Sequence, residues 1–412
     1  MAAGKPSVLV LDEEIPVPAN TGKRIRTLSL LSRLADRFEI QLLVHSGGAD
    51  PAAIATLAAR GIRVHTAPSR IPAKSGLGFA GRLLGSLLFT GLPYSVASHR
   101  RKPYADRLRA LLETSGFSLV HCEWTPYAAY LARPPVPWVV SAHNLETRIW
   151  ERLAATASRA PERWVFRSQA ARMDRFERGV FARADAVTAV SGGDAAAIRA
   201  RGATLVEVVA NGVDLRYFTP RPGEEEPDTL AFTGSMDWRP NQEGVRWFAE
   251  RVHPRLREKR AYTLLAVGRR PPGWMTRPGG LPPNIRVTGT VEDVRPYIAR
   301  GEVYVAPLLA GGGSRLKILE ALAMGRAVVS TTVGAEGLDV VADRDLVLAD
   351  DPGAFADAVV ALLDDAPRRR ALGKAGRKLV ESRYDWDVIA EVQARLWTRL
   401  IEGEAAPIGT TT

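Results

Sequence analysis

Short, unbroken apolar runs alternate with longer stretches of helical periodicity along this chain, and the alternation occurs twice. In the first half the runs are Val8–Leu11, Ile40–Val44, Ile62–Val64, Leu119–His121, Trp138–Ser141 and Ala186–Val190. In the second half they are Thr229–Thr233, Tyr262–Val267, Ile285–Val287, Val303–Ala306, Ala327–Ser330 and Leu346–Leu348. Runs without polar alternation predict strands covered on both faces, as in parallel sheets flanked by helices. Helix candidates between them include Arg26–Arg37 and Pro161–Ala182. Repeated strand–helix alternation predicts two doubly wound α/β domains. Their boundary is expected in 211–228, NGVDLRYFTPRPGEEEPD, whose prolines, glycines and acidic run suit an exposed linker. The expected domains are therefore 1–210 and 229–384, followed by 385–412, a last helix from Trp386 and a frayed tail.

At 412 residues the chain exceeds what one core usually holds, and 46% hydrophobic with 25% charged residues is an ordinary globular balance. One cysteine, Cys122, allows no intrachain disulfide. The opening MAAGKPSVLVLDEE reads as a first buried strand ending in acids rather than a secretory leader, so a cytoplasmic location is expected. Charge changes the picture more. Residues 1–205 hold 28 Lys and Arg against 16 Asp and Glu, whereas 206–412 hold 28 against 29. Within 51–112, ten basic residues accompany one acid, Asp106, around the apolar, Gly-rich stretch from Gly76 to Leu92. Glycines and Arg82 break that stretch, which falls short of the roughly 20 apolar residues that span a bilayer. A basic rim beside an apolar segment suits peripheral contact with an anionic membrane such as the inner face of the plasma membrane; a solvated helical hairpin explains the same residues. Nucleic acid is not an expected partner, because no aromatic-interleaved basic motif occurs.

The strongest local chemistry lies in VYVAPLLAGGGSRLKILEALAMGRAVVST, from Val303. A strand ending at Ala306 leads to Gly311, Gly312 and Gly313, and Ser314 is placed to cap a helix. Leu316, Leu319 and Ala323 are predicted to form that helix's buried stripe. Lys317 and Glu320, three apart, then share the other face near its start. Helix N–H groups with a lysine attract a diphosphate, and a carboxylate can accept ribose hydroxyls. An ordinary i,i+3 surface ion pair explains the same spacing equally well.

This segment resembles the nucleotide-sugar segment of the retaining GT-B glycosyltransferases of family 4, in which LEAxAxGxPVV recurs; here it runs from Leu319 to Val329 as LEALAMGRAVV. Other segments follow in the family's order: ADAVTAVSGGDAAAI from Ala184, VVANGVDLRYFTP from Val208, FTGSMDWRPN from Phe232 and NIRVTGTVEDVRPYIARGEVYVAPL from Asn284. The opening IPVPANTGKRIRTLSLLSRLA, from Ile15, is similar to a subgroup associated with exopolysaccharide assembly. The resemblance covers nearly the whole chain. It implies a GT-B fold of two Rossmann-like domains facing across a cleft, with the last helix returning to the first domain. It also implies transfer of a hexosyl unit, with retention, from a UDP- or GDP-sugar to a hydroxyl of a glycan or lipid-linked glycan.

Two departures from the family pattern stand out. The first of two glutamates eight apart would fall at Gly312, with Glu320 as the second. An arginine common just after the glycine of the first strand of the second domain, Gly234, and a lysine six residues later are replaced by Ser235 and Asn241. A diphosphate needs compensating charge, and Arg239, Arg315 and Lys317 in the same two loops are the expected substitutes, with Lys317 doing most of the phosphate work. Glu320 is then expected on the ribose, with Gly234, the glycine triplet and Ser314 around the donor.

In the first half, His143 follows the strand Trp138–Ser141, and carboxyl ends of strands in open α/β sheets are where ligands bind. The resemblance implies that His143 faces the transferred sugar, with Glu146 on the same loop. A lone histidine there is otherwise more often structural. Gly22, in the first strand-to-helix loop behind the cap candidate Thr21, lets backbone approach donor or acceptor closely. Arg24, Arg26 and Glu123 are acceptor-side candidates, with helix-surface solvation as the plainer account of the arginines, and Cys122 is expected in the core. Six scattered histidines show no metal-ligand spacing, so neither metal nor cofactor is expected beyond the donor itself. A catalytically degenerate GT-B scaffold, a GT-B-type epimerase and a phosphorylase are the alternatives.

Overall fold

The structure, a computed structural model, describes residues 4–47, 50–72, 81–83, 85–86, 90–310 and 315–404. The chain divides into two compact units, Met1–Ala210 with Ile389–Thr412, and Asn211–Val388.

The first unit is built on a seven-stranded parallel sheet of order β3-β2-β1-β4-β5-β6-β7. Its strands are β1 Ser7–Leu11, β2 Glu39–His45, β3 Ile62–Ala67, β4 Leu119–Cys122, β5 Trp138–Ala142, β6 Ala186–Ala189 and β7 Val206–Val208. Central β1 sets Val8 opposite both Ile40 and Leu119. Helices α1 Gly22–Leu34, α2 Lys102–Thr114, α3 Glu146–Thr156, α4 Ala160–Phe181 and α5 Gly192–Arg199 are among the connections. The expected Thr21 cap is present: its Oγ1 accepts from the Arg24 amide at 3.4 Å. Leu9, Leu11, Val120, Val140 and Val187 pack with Phe181 and Ile198 in the core, where Cys122 is also buried. Burial pushes the Cys122 thiol pKa up, so that sulfur serves packing.

The second unit repeats the order with six parallel strands, β10-β9-β8-β11-β12-β13. These are β8 Thr229–Thr233, β9 Thr263–Val267, β10 Ile285–Gly289, β11 Val303–Ala306, β12 Ala327–Ser330 and β13 Val347–Leu348. Helices α6 Arg239–Trp247, α7 Leu316–Ala323, α8 Pro352–Asp364 and α9 Ala366–Arg383 accompany them. Phe232, Phe248, Phe355 and Leu362 are fully buried in its core, each contributing roughly 1.5–3 kcal/mol through burial. The final helix, α10 Trp386–Ile401, begins in this unit and contributes Ile389 onward to the first.

The apolar runs forecast the fold class of two doubly wound parallel sheets, with two differences of detail. Strand β7, VEV, has only two apolar residues, too few to register as a run. Helix α7 buries Ile318, Leu319 and Ala321–Ala323 and leaves Leu316 half-buried, because its inner face is set by contact with α9 and β12. Most of the apolar stretch from Gly76 to Leu92 lies outside the described residues, as do Gly311–Ser314. Among the described residues no helix is long and apolar enough to cross a membrane.

Candidate functional site

A parallel sheet of this order gathers ligands at the carboxyl ends of its strands where the strand order reverses. That point lies between β1 and β4 in the first unit and between β8 and β11 in the second.

In the second unit, β8 ends at Thr233, and Gly234 and Ser235 carry the chain over the sheet edge. Lys317, in the first turn of α7, donates from Nζ to Asn241 Oδ1 at 2.5 Å, and Asn241 Nδ2 donates to the Ser235 carbonyl at 2.7 Å. The ammonium also lies 4.6 Å from the centroid of the Phe232 ring, a cation–π contact on the core's upper surface. Gly234 makes room for this. A Cβ there would stand 2.7 Å from Asn241 Nδ2 and 2.9 Å from Lys317 Nζ. Both are side-chain ends, so Gly234→Ala is expected to keep the fold and displace the ammonium. A nucleoside diphosphate titration should show roughly tenfold weaker binding.

Lys317 and Glu320 share one face of α7 as expected, yet form no ion pair with each other; the lysine instead reaches Asn241, 76 residues away. Both keep some solvent-facing surface but are otherwise enclosed by protein, and it is this enclosure that governs their ionisation. Burial lowers the Lys317 pKa to about 7, against the pull of Glu320 and with a further push from Arg315. It raises Glu320 to about 7, with Lys317 opposing. Among the described residues the Glu320 carboxylate has no hydrogen-bond partner. A cation and a carboxylate are thus held about one turn apart, each costly to keep charged without a ligand.

The other nominated cations are committed elsewhere. Arg239, at the start of α6, is exposed and pairs with Glu243 one turn on at 2.6 Å. Arg315 is buried and donates to the Val333 carbonyl at 2.7 Å and to Glu336 at 3.3 Å, fastening the turn after β12. Arg269, which sequence reasoning passed over, stands just beyond β9 and donates from Nε to Ser235 Oγ at 2.6 Å. The legible signal was an arginine directly after Gly268, at the edge of the strand beside β8.

In the first unit, Glu123 lies just past β4 and is buried. Its Oε1 accepts from Thr27 Oγ1 at 3.2 Å and lies 3.1 Å from His143 Nε2; its Oε2 lies 3.1 Å from His121 Nε2. Arg26 Nε stands 4.0 Å from it. Hydrogen-bond bookkeeping assigns the protons. The Trp397 indole of α10 can only donate, and it lies 3.3 Å from His121 Nδ1. That nitrogen therefore accepts, and His121 carries its proton on Nε2, facing Glu123 and, also at 3.1 Å, Ser141 Oγ. Burial alone would raise the Glu123 pKa, but the His121 and His143 hydrogen bonds hold it well below the usual carboxylate value. An ionised carboxylate only accepts, so His143 donates from Nε2. Burial lowers the His143 pKa, Glu123 opposes this, and Arg26 and Lys23 reinforce it. The ring is neutral at neutral pH, with Nδ1 an acceptor that meets no donor among the described residues.

The remaining nominated residues are tied into this edge. Gly22 is the first residue of α1. Arg24 grips Glu14 through Nε at 3.0 Å and through Nη2. Arg26 is buried, not solvated, and donates to the Ala210 carbonyl at 2.7 Å. Glu146 opens α3, accepts from the Trp124 indole at 2.9 Å, and donates its amide to Glu177 at 2.7 Å. Glu123 and Glu146 are thus inward-facing, bonded carboxylates. Among the described residues no group of three or more His, Cys, Asp or Glu could hold a metal ion.

Two doubly wound parallel-sheet units of this strand order are the architecture of the GT-B fold. Two family models match in chain order, Glycosyltransferase Family 4 over 57–217 and Glycosyl transferases group 1 over 227–365. The chain belongs to the family 4 glycosyltransferases of group 1. A phosphatidyl-myo-inositol mannosyltransferase of Mycobacterium leprae is 36% identical over 140 residues, 32% of this chain and 37% of that protein. A GDP-mannose-dependent monoacylated alpha-(1-6)-phosphatidylinositol monomannoside mannosyltransferase of Corynebacterium glutamicum is 26% identical over 45% of this chain and 54% of its own. The chain thus spans about half the length, or less, of these relatives. Among solved structures, sucrose-phosphate synthase of Thermosynechococcus elongatus matches with TM-score 0.69 and 17% identity, over 97% of this chain and 100% of that one. Anabaena HepE in complex with UDP and glucose matches with TM-score 0.65 and 16% identity, over 96% and 100%. Both are likenesses of fold.

Proposed function

We propose that this protein transfers a hexosyl unit, with retention, from a UDP- or GDP-sugar to a hydroxyl of a glycan or lipid-linked glycan. The observation that carries this reading is the α7 pair: a lysine held by Asn241 and Phe232 beside a carboxylate with no partner among the described residues. Diphosphate on the ammonium and ribose on the carboxylate would satisfy both groups at once. His143 Nδ1 is the acceptor offered to a hydroxyl of the transferred sugar. Family likeness supports retention, and the similarity of the opening segment to exopolysaccharide-associated enzymes supports a role in surface polysaccharide synthesis. The GDP-mannose-dependent relative of Corynebacterium glutamicum makes GDP-mannose the first donor to try.

A panel of UDP- and GDP-sugars tests this by thermal shift and donor hydrolysis, with the product anomer followed by NMR. A donor at 100 times its dissociation constant should stabilise by roughly 2.7 kcal/mol. If no member stabilises the protein or is hydrolysed, the reading falls; an inverted anomer removes retention alone. Because protein cations carry the charge in this scheme, turnover is expected to survive EDTA, and its loss would refute that part.

We also propose peripheral membrane contact. Beyond the basic window 51–112, exposed Ile149, Leu153 and Trp164 on the mutually packed α3 and α4 support it, with Arg152, Arg159 and Arg167 exposed beside them. Sedimentation with vesicles should require anionic lipid; equal binding to neutral vesicles, or none to either, rejects it.

A further inference from the structure

We propose that Arg269 is the second diphosphate ligand, acting with Lys317 as a bridged pair of cations at the carboxyl edge of β8 and β9. This inference rests on the nucleotide-sugar reading above and names a ligand within the same site.

Neither Ser235 nor Asn241 is charged, yet each holds a cation. Arg269 Nε donates to Ser235 Oγ at 2.6 Å, and Lys317 Nζ donates to Asn241 Oδ1 at 2.5 Å. The two holders are themselves joined, because Asn241 Nδ2 donates to the Ser235 carbonyl at 2.7 Å. One hydrogen-bonded chain therefore runs from guanidinium to ammonium.

The backbone beneath Arg269 is fixed as firmly as its side chain. The Met236 amide donates to the Arg269 carbonyl at 2.9 Å, and the Gly234 amide donates to the Val267 carbonyl at 2.9 Å. A Cβ on Gly268 would stand 1.8 Å from the Gly234 carbonyl oxygen, so only glycine lets the two strand ends come this close. With Nε occupied by Ser235, the two terminal nitrogens of Arg269 make no hydrogen bond among the described residues, and the side chain is half-buried. A guanidinium tethered at Nε presents its remaining N–H groups as a preset fork, the geometry that suits phosphate oxygens. By contrast its neighbour Arg270 is exposed and turned to Asp237 at 3.3 Å. Two protein charges then meet the roughly two negative charges of a bound diphosphate without needing Arg239 or Arg315.

Isothermal titration of UDP, GDP and the matching nucleosides tests the assignment on the wild type, Arg269→Gln, Arg269→Lys and Ser235→Ala. Arg269→Gln is expected to weaken binding of the preferred diphosphate about tenfold or more while nucleoside affinity stays within about twofold. Arg269→Lys should fall between the two, keeping charge without the fork, and Ser235→Ala should cost a smaller loss by freeing the guanidinium. Should Arg269→Gln fail to fold, the Lys and Ser235 variants decide the matter by the same ratio. Unchanged diphosphate affinity in the folded Arg269 variants overturns the assignment and leaves the nucleotide-sugar reading standing. A wild type that binds neither diphosphate overturns that reading and this assignment with it.

Discussion

Lys317→Ala should bind the preferred nucleoside diphosphate about 10- to 100-fold more weakly than the wild type, the usual worth of a hydrogen bond to a charged group. Nucleoside affinity should barely change, because the substitution removes phosphate binding and leaves Glu320 in place. The fold should survive: Lys317 is expensive to bury, and among the described residues its hydrogen bond goes only to Asn241. The same lysine makes binding pH-dependent. Burial lowers its pKa to about 7, so at pH 8.5 the free protein carries it mostly neutral. A bound diphosphate favours the charged form, so binding must draw a proton from solution. Affinity should therefore fall as pH rises above 7. Calorimetry in buffers of different ionisation enthalpy should show net proton uptake at pH 8.5, where the phosphates themselves are already ionised. Lys317→Ala should abolish the uptake. Wild-type binding without proton exchange at that pH, or equal affinity in the variant, would remove Lys317 from the site.

What the sequence disclosed depends on the range of the interaction concerned. Strands such as Val8–Leu11 and Val303–Ala306 were legible because burial on both faces writes an unbroken apolar run into consecutive residues. The shared face of Lys317 and Glu320 was legible for a similar reason, since three residues of helix fix their relative direction. Side-chain partners chosen across long separations were not. The i,i+3 spacing suggested an ion pair, whereas Asn241 holds the lysine from another loop. Proximity to the loops nominated Arg239 and Arg315, but a long side chain goes where acceptors are. Glu243 one turn on was visible for Arg239; the Val333 carbonyl was not visible for Arg315. Arg269 follows a strand as many basic residues do, and only the fold sets Ser235 against it. Glu123 read as lining the acceptor side because it ends a strand at the ligand edge. Its actual surroundings come from α1, β4, the end of β5 and α10, a convergence no local pattern records.

That convergence makes Glu123 the other position of large effect. Glu123→Ala should destabilise the first unit by roughly 3–5 kcal/mol, the cost of removing the charged member of a buried hydrogen-bonded set. Glu123→Gln tests function more cleanly, since it keeps shape and removes charge. An amide has one acceptor oxygen and an NH2 that can only donate, while both histidines present N–H to this site. His121 cannot yield, because the Trp397 indole donates to its Nδ1 and pins its proton on Nε2. The NH2 must then meet His143 Nε2, which becomes an acceptor, and the His143 proton moves to Nδ1. The nitrogen offered to the sugar changes from acceptor to donor. Losing that one hydrogen bond is expected to lower kcat/KM by about 10- to 100-fold, and 15N shifts of the His143 ring should report the exchanged tautomer. Trp397→Phe combined with Glu123→Gln should ease the constraint by letting His121 exchange tautomer instead, returning His143 to Nε2–H. Stability gives an independent reading. The Glu123 pKa is depressed in the fold, so its contribution is present above the unfolded carboxylate value and lost as pH falls through the folded one. The wild type should lose that increment in acid, and Glu123→Gln should have none to lose. A Gln variant with wild-type His143 shifts and wild-type kcat/KM would show that the carboxylate does not set the face His143 turns to its substrate.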